Sequence, residues 1–147
     1  MTAADPPHRP TLVELDVDRC LALVQQTPVG RLGFVNEEGD PMILPVNHVL
    51  VDGQIHVRTK RGTKLSVAER LGGAKVVLEV DELDADLETG WSVLVRGHLH
   101  PVTDTVEMAR LDRLGHHTWS DDTERRSWLR VDATEVTGRG IATPDAD

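Results

Sequence analysis

Cysteine, positive charge and long apolar runs are all scarce in this sequence of 147 residues. Its single cysteine, Cys20, has no partner for an intrachain disulfide, and a zinc site built on cysteines is excluded. With a net charge of −9 the chain lacks the basic face that nucleic-acid phosphates require, so nucleic acid is not an expected partner. No apolar run reaches membrane-spanning length, and the polar, proline-rich residues 1–10 do not resemble a signal peptide. We therefore expect a cytoplasmic protein with no membrane partner.

The composition that remains is typical of one globular domain. Hydrophobic residues make up 39% of the chain, which is enough to form a core. The length suits a single domain and is too short for two ordinary ones. Residues 1–10 and 142–147 are polar, with little to bury, so we expect flexible ends around a domain of residues 11–141.

Short strands and tight turns dominate the predicted secondary structure. A first helix is expected from the N-cap Asp16 through Gln26, with its inward face formed by Leu21, Val24 and Cys20. Strands are predicted at residues 31–35, 42–51, 54–59, 75–80, 91–102 and 127–136, and further helices at 63–71 and 104–115. Asp52-Gly53 predicts a two-residue hairpin turn, because both residues tolerate positive φ. The pattern indicates a mainly β fold, an antiparallel barrel with peripheral helices.

Residues 57–65, with the sequence VRTKRGTKL, place cations and hydroxyls where a predicted strand leads into a predicted helix. Arg58 and Lys64 supply charge, and Thr59 and Thr63 supply short hydrogen-bond donors. The first N–H groups of the helix would point at the same anion. The segment therefore indicates a phosphate site, although a solvated basic loop is the alternative from these residues alone.

Pro45 interrupts the second predicted strand. Since proline cannot donate to the ladder, this strand is expected either at an edge or with a bulge at this point. A bulge would re-aim side chains and often lies beside a binding site. Asn47 follows, and its amide can offer a donor and an acceptor to a planar heterocycle.

Five blocks of sequence, in order, resemble the pyridoxamine 5′-phosphate oxidase-related flavoproteins, and more narrowly their short branch. They are GRLGFV at 30–35, PVNH at 45–48, RT at 58–59 with GTKL at 62–65, GWSVLVRG at 90–97 and VTGR at 136–139. The similarity extends from about residue 16 to residue 141. Two features depart from the family. His48 stands where Tyr or Phe is frequent, and the chain is shorter than a true pyridoxamine phosphate oxidase and lacks its C-terminal Arg/His pattern. Oxidation of vitamin B6 is therefore not expected.

The resemblance implies a split β-barrel homodimer with two FMN molecules at the subunit interface. It places residues 45–48 along the isoalloxazine ring, largely through backbone contacts, and Arg58, Thr59 and Lys64 at the flavin phosphate. It brings Trp91 and Ser92 to the ring or ribityl chain from the second subunit. The implied cofactor-binding residues are Pro45, Val46, Asn47, His48, Arg58, Thr59, Thr63, Lys64, Leu65, Trp91, Ser92 and Arg139.

No catalytic side chain is evident in the sequence, which agrees with flavin chemistry, where the cofactor carries the electrons. We expect an FMN-dependent oxidoreductase acting on a small molecule that the sequence does not identify. A positive charge near the flavin's pyrimidine edge could come from Arg96, Arg139 or His48. The alternatives are a deazaflavin-dependent reductase and a non-enzymatic protein that binds flavin or haem.

The predicted strand at 91–102 presents two different faces. Trp91, Val93 and Val95 share one of them, and for Trp91 a core role and flavin contact fit equally well. The apolar composition of residues 91–95, with Trp128 as a possible neighbour, predicts part of the dimer interface. His98 and His100 lie on the opposite face, and no metal site is expected there because no carboxylate or cysteine stands at motif spacing.

Overall fold

The computed structural model describes residues 11–60, 73–114 and 126–142. Within these residues the chain forms seven strands and two helices. The strands are β1 (Thr11–Leu15), β2 (Val29–Val35), β3 (Pro41–Val51), β4 (Gln54–Lys60), β5 (Ala74–Asp84), β6 (Thr89–Pro101) and β7 (Arg126–Ala142), and the helices are α1 (Val17–Gln26) and α2 (Thr105–Leu114). Across these three ranges, no helix is long and apolar enough to cross a membrane.

Six of the strands close into an antiparallel barrel, which confirms the predicted fold class. They follow the order β7-β4-β3-β2-β5-β6, and β6 pairs back onto β7. β1 lies outside this ring and pairs with the last residues of β7, from Leu15 opposite Gly138 to Thr11 opposite Ala142. β7 therefore pairs with three other strands: β1, β4 and β6.

The barrel interior is filled by alternate residues of each strand, because successive side chains in a strand point to opposite faces. In β6, Val93, Val95 and Leu99 are fully buried, whereas the intervening side chains point outward. The seam between β6 and β7 contains one irregularity. Arg96 lies opposite Glu135 and Gly97 opposite Ala133, which leaves Thr134 as the extra residue of a bulge. The Thr134 hydroxyl donates to the carbonyl oxygen of Arg96 at 3.2 Å.

α1 begins as predicted. The Asp16 carboxylate accepts a hydrogen bond from the backbone N–H of Arg19 at 2.8 Å, so the residue is a true N-cap. The face of α1 that enters the main core is Cys20, Leu23 and Val24. Leu21, predicted to face inward, is only half-buried, because Leu23 and Val24 occupy that face.

α2 lies against the outer surface of the barrel rather than its interior. Its N-cap is Asp104, as predicted, and this carboxylate accepts from the backbone N–H groups of Val106 at 2.8 Å and Glu107 at 3.1 Å. A second hydrophobic cluster joins the helix to the barrel; it comprises Leu111, Trp128 and Val102, with Val49, Val51 and Met108 packed around them.

The predicted hairpin turn is confirmed, whereas several strand ends differ from the prediction. Asp52 and Gly53 both have positive φ, 52° and 77°, which confirms the predicted hairpin between β3 and β4. β1 was missed, β2 begins two residues before the predicted strand, β5 extends through Asp84, and β7 continues to Ala142. Partner strands set these ends, and partners are not visible in local composition. The helix predicted at 63–71 lies outside the described residues.

Candidate functional site

Asn47, Arg58 and Trp128 stand side by side on the outer surface of the barrel. In the ladder, Asn47 of β3 lies opposite Arg58 of β4, and Arg58 lies opposite Trp128 of β7. Val46 and Val57, their neighbours along the chain, point into the core and are 6% and 0% exposed. Strand alternation therefore presents the Asn47 amide and the Arg58 guanidinium together on the outside.

The Arg58 side chain is held between a ring and a carboxylate. Its guanidinium carbon lies 5.5 Å from the centre of the Trp128 ring, within the range of a cation–π interaction. Its Nη2 atom lies 3.9 Å from Oδ1 of Asp112 on α2. The same Asp112 oxygen accepts a hydrogen bond from Nε1 of Trp128 at 2.8 Å. Asp112 was missed by the sequence reasoning, since only the docking of α2 brings it to this site.

The predicted phosphate segment is described only at its first residues. β4 carries Arg58 and ends at Lys60, so the backbone of Thr59 belongs to the end of this strand. Thr63, Lys64 and Leu65 lie outside the described residues, and their phosphate role stays a prediction.

Pro45 lies at a sheet edge, the first of the two alternatives considered. Residues 41–46 of β3 pair with β2, with Pro45 opposite Arg31. The pairing of β3 with β4 begins only at Asn47, so in the described part of the chain this half of β3 has one open edge. The register with β2 runs through Pro45 without a shift, so there is no bulge there. Among the described residues, the backbone of residues 41–46 thus has no strand partner on the side away from β2.

The His48 side chain points away from the outer surface. It is 4% exposed, and Nε2 lies 2.8 Å from the carbonyl oxygen of Val24 near the end of α1. The backbone N–H of His48 also donates to the carbonyl of Pro28 at 3.2 Å. Burial lowers the pKa of the imidazole. The neutral ring must carry its proton on Nε2 to donate to Val24, which leaves Nδ1 buried without a partner. The ring fastens α1 to the barrel, so the His48 side chain is not available to a ligand on the outer surface.

A second concave surface lies on the outside of β6, β7 and β1. It forms a cleft of about 550 Å³. Its lining residues are Glu14, Leu15, Ser92, Leu94, Arg96, Glu135, Val136, Thr137, Gly138 and Arg139. Ser92 lies opposite Arg139 in the ladder, and Arg139 is exposed. Arg96 is held by Glu135, with 3.8 Å between Nη1 and Oε2. The cleft thus brings together two predicted cofactor residues, Ser92 and Arg139.

Trp91 faces the other way. It is half-buried and packs against the main core, on the same inward face as Val93 and Val95. Val93 and Val95 are 0% exposed in the single chain, so their interpretation as interface residues is wrong. The alternation of residues 91–95 shows that β6 has two faces, but the composition does not show which of them is buried in the barrel. Leu94, on the opposite face, lines the cleft instead.

The two surfaces do not meet within one chain. Asn47 is on β3 and Ser92 on β6, and β2 and β5 lie between them in the barrel. Three interstrand steps of roughly 4.8 Å give about 14 Å along the surface. Between them Arg31 bridges two carboxylates, with its Nη1 3.3 Å from Glu79 and 3.4 Å from Asp81. Burial, and then the neighbouring Asp81, raise the pKa of Glu79. Because β3 and β6 are three strands apart in either direction around the six-strand ring, the outward-facing side chains of Asn47 and Ser92 lie on opposite sides of the barrel.

His98 and His100 lie on the outer face of β6, as the alternation predicted. His100 Nε2 is 3.1 Å from Oδ2 of Asp132, and Oδ1 of the same carboxylate accepts a hydrogen bond from Nε of Arg130 at 2.7 Å. The hydrogen bond from Arg130 lowers the pKa of Asp132. Within the three described ranges, no group of three or more His, Cys, Asp or Glu side chains is arranged to hold a metal ion. His100 therefore belongs to a surface polar network with Asp132 and Arg130.

Comparison with known proteins gives consistent matches over most of the chain. The sequence model of a family described as pyridoxamine 5′-phosphate oxidase matches residues 16–140. An uncharacterised protein of Mycobacterium tuberculosis is 40% identical over 116 residues, which are 77% of this chain and 76% of that protein.

Solved structures give the same result for the fold. The FAD-binding protein from Mycobacterium smegmatis superposes with a TM-score of 0.73 at 31% identity, over 88% of this chain and 100% of that one. A conserved protein of unknown function from Corynebacterium diphtheriae gives a TM-score of 0.69 at 31% identity, over 89% of this chain and 98% of that one.

Proposed function

The chain belongs to the pyridoxamine 5′-phosphate oxidase family, and from that premise we propose that it is a flavoprotein that binds FMN between two subunits of a homodimer. We further propose that it works as an oxidoreductase on a small molecule. The observation that carries the proposal is the pair Asn47 and Arg58, an amide and a cation adjacent on the outer surface where β4 leads into the basic segment.

The residues of this surface suit the two ends of a flavin nucleotide. The Asn47 amide and the open backbone edge of residues 41–46 offer donors and acceptors to a flat heterocycle. The Arg58 guanidinium, whose side chain is 22% exposed, offers a charge to the phosphate. Thr59, Thr63, Lys64 and Leu65 follow in the chain and complete the proposed phosphate site.

The second subunit is proposed because one chain offers only part of an enclosed site. Cofactor sites normally bury most of their ligand, and within one chain the cleft at Ser92 faces outward on the side of the barrel opposite Asn47. A twofold axis would place the cleft of one copy over the Asn47 surface of the other and create two equal sites. Pro45, Val46, Asn47 and Arg58 would then come from one copy, and Ser92 and Arg139 from the other.

Bound flavin would supply electron or hydride transfer, and the protein would supply its binding, orientation and electrostatic surroundings. Of the candidate positive charges, Arg96 and Arg139 line the cleft, and the His48 imidazole is buried against α1. Arg96 is already paired with Glu135. Arg139 is therefore our choice for the charge that would favour the reduced, anionic cofactor.

FAD is the second candidate cofactor. A solved relative that is 31% identical is described as an FAD-binding protein. FMN and FAD share the isoalloxazine ring, the ribityl chain and the first phosphate, so Asn47 and Arg58 would serve either. The adenosine half of FAD would need additional space beyond this phosphate.

The identity of the cofactor is tested by the absorption spectrum of protein purified without added cofactor. Flavin bands support the proposal, whereas a Soret band would point to haem and a deazaflavin spectrum to the reductase alternative. Acid release followed by chromatography then separates FMN from FAD. A protein that carries no chromophore and binds neither FMN nor FAD on titration would refute the proposal.

The phosphate site is tested by Arg58→Gln, with Arg19→Gln as the matched control because Arg19 is exposed on α1, away from the site. A charge-assisted contact is worth about 1.5–3 kcal/mol, so FMN should bind at least roughly tenfold more weakly to Arg58→Gln. Riboflavin, which lacks the phosphate, should bind as it does to the wild type. Equal losses for the two ligands would remove Arg58 from the phosphate site.

The dimer is tested at Leu94, which lines the cleft on the outer face. Leu94→Glu should give a folded monomer that loses flavin, as judged by light scattering and circular dichroism. Val93→Glu is the contrasting variant, because Val93 is fully buried and a charge there should prevent folding. A wild-type monomer that retains flavin at full occupancy would overturn the shared site.

A further inference from the structure

Asp112 and Trp128 form a support behind Arg58 that the sequence did not reveal. We propose that they are positioning residues, which hold Arg58 in the orientation that binds a flavin phosphate. This inference rests on the proposed function, because it assigns the support of the same phosphate site. Its three contacts are Trp128 Nε1 to Asp112 Oδ1 at 2.8 Å, Arg58 Nη2 to Asp112 Oδ1 at 3.9 Å, and Arg58 Cζ to the Trp128 ring centre at 5.5 Å.

Trp128 is the rigid part of this support. It is 4% exposed and packs with Val102 and Leu111 in the cluster beneath α2. Its backbone carbonyl accepts from the N–H of Val102 at 3.0 Å, and its indole N–H is used by Asp112. With both ends fixed, the indole offers the guanidinium a ring surface at a constant place.

Arg58 benefits from such a surface because its side chain is long and has many rotamers. Immobilising such a side chain at a binding site lowers affinity, and a support that fixes it beforehand removes part of that cost. The ring favours a guanidinium above it, and Asp112 attracts it from the side of α2. At 3.9 Å this ion pair is longer than a hydrogen bond, so it orients the cation through charge.

Asp112 is itself placed by the docking of α2. The helix is fastened by Leu111, which is 1% exposed in the cluster. Polar contacts help on the same helix: Glu107 lies 3.3 Å from Nε2 of buried His56, and Arg110 lies 3.0 Å from Asp52. The position of α2 is thereby coupled to the orientation of the proposed phosphate ligand.

Substitutions at Asp112 separate positioning from charge. Asp112→Leu removes the acceptor for Trp128 and the attraction on Arg58. Asp112→Asn keeps an acceptor oxygen for the indole N–H and a dipolar attraction on Arg58, and it removes a negative charge that would repel a phosphate. If Asp112 acts by positioning, Asp112→Leu should weaken FMN about three- to tenfold, and Asp112→Asn should bind FMN at least as tightly as the wild type.

The experiment measures dissociation constants for FMN and for riboflavin by fluorescence titration of each variant. Riboflavin affinity should change less than about twofold throughout, because the support acts only through the phosphate ligand. Arg113→Leu, an exposed position on the same helix, is the control and should leave both constants unchanged. Trp128→Phe keeps a ring but loses the indole N–H, and it should reduce FMN affinity selectively as well.

The outcomes separate this inference from the function on which it rests. If wild-type protein prefers FMN over riboflavin and Asp112→Leu leaves that preference unchanged, the positioning role is refuted while the proposed function stands. An equal loss of FMN and riboflavin affinity in Asp112→Leu would mean that Asp112 only stabilises the fold. FMN binding by Asp112→Asn that is weaker than that of the wild type would also refute the inference. If Asp112→Leu does not fold, the selective loss in Trp128→Phe decides. Wild-type protein that does not distinguish FMN from riboflavin would refute both.

Discussion

Among the described glycines, Gly97 is the one at which an added methyl group would approach the backbone most closely. It lies on the inward face of β6, at the bulge where Gly97 pairs with Ala133. A Cβ there would overlap the carbonyl oxygen of Asp132, and would also lie 2.8 Å from its carbonyl carbon and 3.0 Å from Cα of Ala133. These are backbone atoms, so no side-chain rotation can relieve the overlap.

The cost of Gly97→Ala follows from what must move. The seam between β6 and β7 would have to open, which adds the strain of overpacking, about 1–3 kcal/mol, to the weakening of two neighbouring ladder hydrogen bonds at about 1 kcal/mol each. We therefore expect a loss of about 3–5 kcal/mol in the free energy of unfolding. For a domain of this size each kcal/mol lowers Tm by roughly 2–4 °C, so the melting temperature should fall by about 10 °C.

Gly140→Ala is the matched control on the same seam. Gly140 also pairs with β6, opposite Trp91, but a Cβ there would first meet Cδ2 of Leu15 at 3.4 Å, an ordinary contact. Its stability should stay within about 1 kcal/mol of wild type, since Gly to Ala also reduces the entropy of the unfolded chain. Urea unfolding followed by circular dichroism measures both. If the two variants lose the same free energy with unchanged m-values, the close approach at the bulge does not control stability.

Three further predictions use other contacts. Burial lowers the pKa of His48, so its contribution to stability is complete above about pH 6.5 and is lost as pH falls through the lowered folded pKa; His48→Gln should therefore lose less stability than wild type between pH 7 and 5 in urea titrations. Burial, followed by the charge of Asp16, raises the pKa of the Cys20 thiol, so iodoacetamide should react slowly with native protein and quickly in urea, and equal rates would contradict its burial. Asp104→Ala should cost about 1 kcal/mol, because it removes the cap of α2, and an unchanged urea midpoint would show that the cap is dispensable.

Features of the structure that depend on a few neighbouring residues could be predicted from the sequence. Two helix caps and one turn depend only on residues that are adjacent in sequence. Asp16 and Asp104 accept hydrogen bonds from nearby backbone N–H groups, and Asp52-Gly53 allows the chain to reverse. The sequence therefore predicts all three. The closed mainly β fold also followed, because many short strands separated by turns have few other ways to bury one face.

Features that depend on distant partners were not predicted. The pattern of β6 showed two faces, but only the closed barrel shows that Val93 lies inside and Leu94 outside. The sequence placed His48 beside the ligand, but α1 packs against its side chain and the carbonyl oxygen of Val24 accepts a hydrogen bond from its ring. In the sequence Asp112 resembles any acidic residue on an exposed helix. Its contact with Trp128 forms only because α2 docks against the barrel.

The long strand β7 imposes an order on folding. Barrel closure requires it, since it joins β4 to β6, and β1 finds its partner only in the last residues of the same strand, with Thr11 opposite Ala142. During synthesis, strands β2 to β6 can pair with one another, but the ring stays open and its apolar interior stays wet until residue 142 has left the ribosome. Contacts of such long sequence separation fold slowly, and open strand edges invite association with other chains. Ribosome-bound chains that stop before β7 should therefore remain protease-sensitive and recruit chaperones. Chains that include the seventeen residues of β7 should close the barrel and become protease-resistant.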